Sequence, residues 1–95
     1  MNRARGEVTV RLTGEERRLC LTLGALAEME GALGVEGFEA LAGRLRTLSA
    51  GDLTAVLAAL LAGGGEEART ARRLAEDCDP REAALAVADA FRAAA

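Results

Sequence analysis

Residues 5–33, RGEVTVRLTGEERRLCLTLGALAEMEGAL, change hydrophobic period partway along, from two to about three and a half. Val8, Val10 and Leu12 alternate with Thr9 and Arg11, and Leu19, Leu21 and Leu23 alternate with Cys20 and Thr22. Both runs fit half-buried strands, and Gly14 between them supplies a turn, so a β-hairpin is predicted. Whether the loop is Gly14-Glu15 or Thr13 to Glu16, the register comes out the same. Val10 faces Leu19 and Val8 faces Leu21, which places the apolar side chains on one side of the ribbon. A two-stranded ribbon is marginal by itself, so that side needs a cover.

The remainder reads as short helices with clear punctuation. Thr22 is an N-cap candidate, and Leu23, Leu26, Ala27, Met29 and Leu33 form an apolar stripe that stops at Gly34. A second helix is expected over Glu36 to Leu48, with Phe38, Leu41, Ala42, Leu45 and Leu48 inward and Arg44 and Arg46 outward. Ser49, with Asp52 three residues on, resembles a capping box. It opens a third helix whose stripe is Leu53, Val56, Leu57, Leu60 and Leu61. Gly63-Gly64-Gly65 ends that helix, because a glycine triplet loses too much backbone entropy to stay helical, and it reads as a hinge or loop. Glu66 to Cys78 forms a fourth helix with the small face Ala68, Ala71, Leu74, Ala75 and Cys78. Asp79-Pro80-Arg81-Glu82 starts a fifth with a cap, an N1 proline and an early acid, followed by Leu85, Val87, Ala88 and Phe91.

The 95 residues suffice for one small domain, and 51% apolar residues rule out a disordered chain. The fold class is α+β and predominantly α: an N-terminal β-hairpin (6–22) packed against about four to five short helices. These comprise a helical core (23–62), a glycine hinge (63–65) and C-terminal helices (66–95). Net charge is −3; residues 1–48 carry seven Arg against seven acids, and 49–95 five against eight. Neither half has the concentrated positive charge that phosphate binding needs, so no nucleic-acid partner is expected. Cys20 and Cys78 match no metal or redox spacing and read as small buried thiols. Met1 to Gly6 lacks the apolar run of an export signal, and the longest apolar run, Ala55 to Ala62, is far too short to span a bilayer. A cytoplasmic protein without membrane association is expected.

The residue inventory bears on chemistry. There is no His, Tyr, Trp, Lys or Gln, one Ser and one Asn, which removes most general bases, Schiff-base lysines and imidazole ligands. Glu28 with Glu30, or Glu66 with Glu67, would form working carboxylate pairs only if they shared a helix face. Residues one or two apart on a helix do not. Ser49 belongs to a helix cap, and Gly63 to Gly65 lacks the Lys and Ser/Thr of a phosphate-binding loop. Neither enzymatic activity nor a cofactor or metal is therefore expected. Binding remains. Either the core consumes all the Ala/Leu faces, or part of them stays open as an oligomer or partner groove suited to an amphipathic helix. The stripe Leu53, Val56, Leu57, Leu60 and Leu61 is the candidate partner-binding face.

Glu7 to Leu33, with the hairpin running into LTLGALAEME, and Ser49 to Gly65, SAGDLTAVLAALLAGGG, together resemble the tail assembly chaperone family of gene transfer agents and related tailed phages. Members are sometimes labelled gene transfer agent tail tube protein. The likeness covers residues 6–65. It implies a non-enzymatic role in which the protein coats the long helical tape measure protein, keeps it soluble and helps recruit tail tube subunits. A chaperone of this kind needs apolar grooves and self-association, so a homo-oligomer is a further expected partner state. The alternatives are a structural tail tube component, which would be expected to supply many strands to a β-wall, and a small helical regulatory adaptor.

Overall fold

A computed structural model describes residues 7–95. The predicted hairpin start at residue 6 and the reading of Met1 to Gly6 lie outside those residues. The elements run β1 (Glu7–Leu12), β2 (Glu15–Cys20), α1 (Leu23–Leu33), α2 (Phe38–Arg44), a 3₁₀ turn (Leu45–Thr47), α3 (Ala50–Gly63), α4 (Ala68–Glu76) and α5 (Pro80–Ala94). This is the expected α+β, mainly α architecture: one antiparallel hairpin and five helices.

The hairpin register differs from the sequence expectation. Val8 pairs with Leu19, Val10 with Arg17 and Leu12 with Glu15, so the loop is Thr13-Gly14. Both loop residues have positive φ, 48° and 84°. Positive φ at both central residues defines a type I′ turn, whose twist matches that of the strands. Because the partner shift is by two residues, the same side chains stay on the covered face. Strand β2 also ends at Cys20 rather than continuing through Leu23. Leu23 becomes the first residue of α1 and is 82% exposed, not part of either apolar stripe.

Helix α3 is the centre of the molecule, packing on α1, α4, α5 and β2, while α5 covers β1. The two faces of the problem posed by the hairpin, an apolar ribbon side and surplus Ala/Leu helices, thus solve each other. Val56, Leu57, Leu60 and Leu61 of α3 meet Leu19, Met29 and Leu41 in a core where all seven have no solvent exposure. The only two aromatic residues, Phe38 and Phe91, stack with centroids 5.5 Å apart and tie α2 to α5.

Helix boundaries follow their caps. Thr22 Oγ1 accepts from Ala25 N–H (3.0 Å), Ser49 Oγ from Asp52 N–H (3.1 Å), and Asp79 Oδ2 from Glu82 N–H (3.1 Å), each where the sequence placed a start. Helix α4 begins later than expected because Glu67 is itself the cap, accepting from Thr70 N–H (3.1 Å). Helix α2 is shorter at both ends. Gly37 has φ 91°, which leaves Glu36 outside, and the last turn tightens to 3₁₀ before Leu48 becomes extended.

Some inward assignments change. In α1, Ala25, Met29 and Leu33 are buried and Leu26 half-buried, while Ala27 is exposed. In α5, Ala83, Ala86, Val87, Ala90 and Phe91 are buried, and Leu85 is 62% exposed. Small alanines allow the close approach of helix to hairpin that a leucine row would block. Arg44 does not point outward. It donates to Asp52 Oδ2 (2.8 Å) and to the Leu33 carbonyl (3.1 Å), joining the end of α1 to the start of α3. That contact satisfies one of the orphan carbonyls at a helix C-terminus.

Candidate functional site

The glycine triplet shows a packing role. Gly64 is the C-cap of α3, Gly65 follows with φ 119°, Gly65 N–H donates to Ala62 O (3.1 Å), and Glu66 N–H to Leu61 O (3.1 Å). These are the paired bonds of a Schellman motif, with Gly65 at its left-handed position. Gly63 and Gly64 also lie against β2. A Cβ on Gly63 would sit 2.1 Å from the Cys20 carbonyl oxygen, and one on Gly64 would sit 2.0 Å from that of Arg18. The chain here is a closely packed seam as well as a turn.

Two cavities flank α3 and a third lies at the glycine turn beyond its C-terminus. The smallest, about 180 Å³, lies between α3, α4 and α5 and is lined by Leu53, Thr54, Leu57, Cys78, Pro80 and Ala83 among others. This is where the candidate partner-binding stripe reaches the surface. Leu53 is half-buried at the cavity, whereas Val56, Leu57, Leu60 and Leu61 have no exposure. Those four side chains hold the core together; the cavity leads to Leu57, and Val56, Leu60 and Leu61 are reached only by displacing a neighbouring element.

The largest cavity, about 560 Å³, is an open groove between α1, α3 and α4. Its floor is Ala55, Ala58, Ala59 and Ala62 of α3, with Glu28 of α1 and Arg72 of α4 beside it. Sequence reasoning overlooked it by following the leucines. The signal was present in AVLAALLA, which is apolar all round, so a second stripe at i, i+3, i+4 and i+7 runs along the opposite face.

A third cavity, about 360 Å³, is polar and lies between the outer hairpin face and the glycine turn. Arg17 there pairs with Glu15 (3.2 Å) and Glu66 (3.3 Å), and Arg18 pairs with Glu7 (3.6 Å). The N–H groups of Gly64 and Gly65 already donate to α3 carbonyls. The site therefore offers neither bare cations nor free amides to a phosphate.

The carboxylates considered for acid/base work separate. Glu30 accepts from Gly37 N–H (2.7 Å) and holds the α1–α2 loop, while Glu28 is exposed beside the groove. Among the described residues, no group of three or more Cys, Asp and Glu could hold a metal ion. Cys20 is buried, Cys78 is half-buried, and both are free thiols. Burial raises the pKa of each above the ordinary thiol value. Glu7 adds to the effect at Cys20, and Glu82 and Asp79 add to it at Cys78. A raised pKa keeps the thiol protonated and poorly nucleophilic. No described helix is long and apolar enough to cross a membrane.

Comparison with known proteins agrees with the tail-family likeness and extends it past residue 65. No curated protein and no solved structure matches the chain. A family profile described as phage tail tube protein, GTA-gp10, matches residues 5–95, including the C-terminal helices. A match over nearly the whole length is decisive, and the chain belongs to that phage tail protein family.

Proposed function

We propose that this chain is a non-enzymatic assembly chaperone of a phage-like tail, binding the tape measure protein and assisting tail tube assembly in a gene transfer agent or prophage. Family membership supports the tail role. The observation favouring a chaperone is architectural: the described sheet has two strands of six residues each, and all remaining elements are helical. A chain built this way offers helix faces and grooves to an amphipathic partner helix rather than a wall of strands. The contact is assigned to Leu53 and Leu57 at the small cavity of about 180 Å³ between α3, α4 and α5.

The family description favours a second reading, a structural tail tube component. The two differ in where the protein ends up. Co-expression with the tape measure protein should raise that protein's solubility and permit co-purification, and Leu53→Gln should weaken both. Absence of any effect of the unmodified chain on solubility or co-purification would sink the chaperone reading. Stoichiometric copies in purified particles, measured by mass spectrometry, would establish the tube component instead.

A further inference from the structure

We propose that the alanine groove between α1, α3 and α4 receives the outer face of α5 from a second copy of this chain, with Leu85 as the inserting side chain. The groove and this helix face complement each other in three respects. The first is shape. Ala55, Ala58, Ala59 and Ala62 lie at i, i+3, i+4 and i+7 and leave a trough of about 560 Å³. On α5, Ala84, Leu85 and Ala88 form one ridge, in which Leu85 is 62% exposed and flanked by small residues. A single large side chain between alanines on one helix, opposite alanines on the other, lets two helix backbones approach closely.

The second is charge. Glu28 stands beside the groove and Arg81 lies one turn before Leu85 on the outer face of α5, both exposed. Neither has an ion-pair partner among the described residues. The other charge at the groove, Arg72, is already paired with Glu76 (3.1 Å), so docking α5 brings the two unpaired opposite charges, Glu28 and Arg81, to the same contact, where they fix direction and register more than they add affinity.

The third is direction. Leu53 and Leu57 of α3 line the cavity that Ala83 of α5 closes, and helical periodicity places them opposite the Ala55 to Ala62 stripe. Groove and ridge thus point away from each other across α3. A contact between two different surfaces is head-to-tail, so each copy bound still presents one free groove and one free ridge. Such contacts grow into closed rings or open filaments rather than stopping at a pair. A single helix face is smaller than the roughly 1,600 Å² of a standard interface, so assembly depends on concentration.

The test is sedimentation velocity of the full chain across a concentration series. The unmodified protein should exceed twice its 9.8 kDa monomer mass at high concentration. Leu85→Asp removes the ridge and Ala62→Arg, at an exposed groove position, blocks the trough; each alone should be monomeric with unchanged far-UV circular dichroism. Mixed in equal amounts, they should form a two-copy species, because each retains one intact surface. As a second route, Glu28→Arg should weaken assembly at least about tenfold in concentration, and adding Arg81→Glu to the same chain should restore it. A protein monomeric at every concentration, a Leu85→Asp variant that assembles like the unmodified chain, a mixture that stays monomeric, or a charge reversal without rescue would each overturn the proposal. None of these results would bear on tape measure binding, so the chaperone reading stands or falls separately.

Discussion

Replacing Gly63 or Gly64 by alanine should destabilise the protein, against the rule for glycine in helices. By local conformation both sites accept a side chain. Gly63 is helical, and Gly64 has φ −82° and ψ −2°. In an exposed helix the change to alanine would stabilise by about 1 kcal/mol. Here the new Cβ would lie 2.1 Å from the Cys20 oxygen or 2.0 Å from the Arg18 oxygen, and both obstacles are backbone. Reaching the 3.4 Å of ordinary contact requires α3 and β2 to separate by roughly 1.4 Å. Overpacking of this kind costs about 1–3 kcal/mol. A gap approaching 1 Å also forfeits a quarter to a half of each dispersion contact along the seam. The net expectation, after the propensity gain, is a loss of up to about 2 kcal/mol. For a domain of this size that lowers Tm by up to roughly 15 °C.

Gly31→Ala provides the contrast. Gly31 sits inside α1, and an added Cβ would meet nothing within 4 Å. That variant should gain about 0.5–1 kcal/mol. Thermal and urea unfolding followed by circular dichroism would compare the three. If Gly63→Ala or Gly64→Ala matched Gly31→Ala in raising Tm, the seam would not constrain the fold as argued.

Three further outcomes follow from particular contacts. Thr13 holds φ 48°, which a β-branched residue adopts at a cost, so Thr13→Asn should stabilise by about 0.5–1 kcal/mol in urea unfolding. Arg44→Met keeps the aliphatic stem but strands the partly buried Asp52, and should cost about 1–2 kcal/mol at low salt and less in 0.5 M NaCl. The raised thiol pKa of Cys20 means the folded state holds its proton more tightly than the unfolded chain. Its stabilising contribution is therefore complete below the ordinary value of 9.0 and is lost as pH rises above it through the folded value. Urea midpoints between pH 8 and 10.5 should fall more steeply for the unmodified protein than for Cys20→Ala, and equal slopes would refute this account.

Much of the architecture is legible in the sequence because it is set by near neighbours. A period of two before Cys20 and of about three and a half after Thr22 separates ribbon from helix. Thr22, Ser49 and Asp79 mark helix starts because their side-chain oxygens accept from N–H groups three residues on, a geometry local to the chain. The family likeness, too, was carried by sequence, and so was the absence of most catalytic residue types.

Tertiary structure decided what depends on which element arrives next to which. The turn register hung on two positive φ values, one of them at a threonine that propensity alone would not choose. Leu23 and Leu85 look like core residues in sequence and are exposed, because α1 and α5 turn their alanine-containing rows toward their neighbours instead. Arg44 looks solvent-facing and bridges α1 to α3. The leucine stripe of α3, expected as a partner-binding face, places four of its five side chains in the core, because it is the row against which the neighbouring elements pack. What remained open is the alanine face. A helix apolar all round carries two candidate faces, and only the packing of β2, α1, α4 and α5 about α3 determined which one was covered.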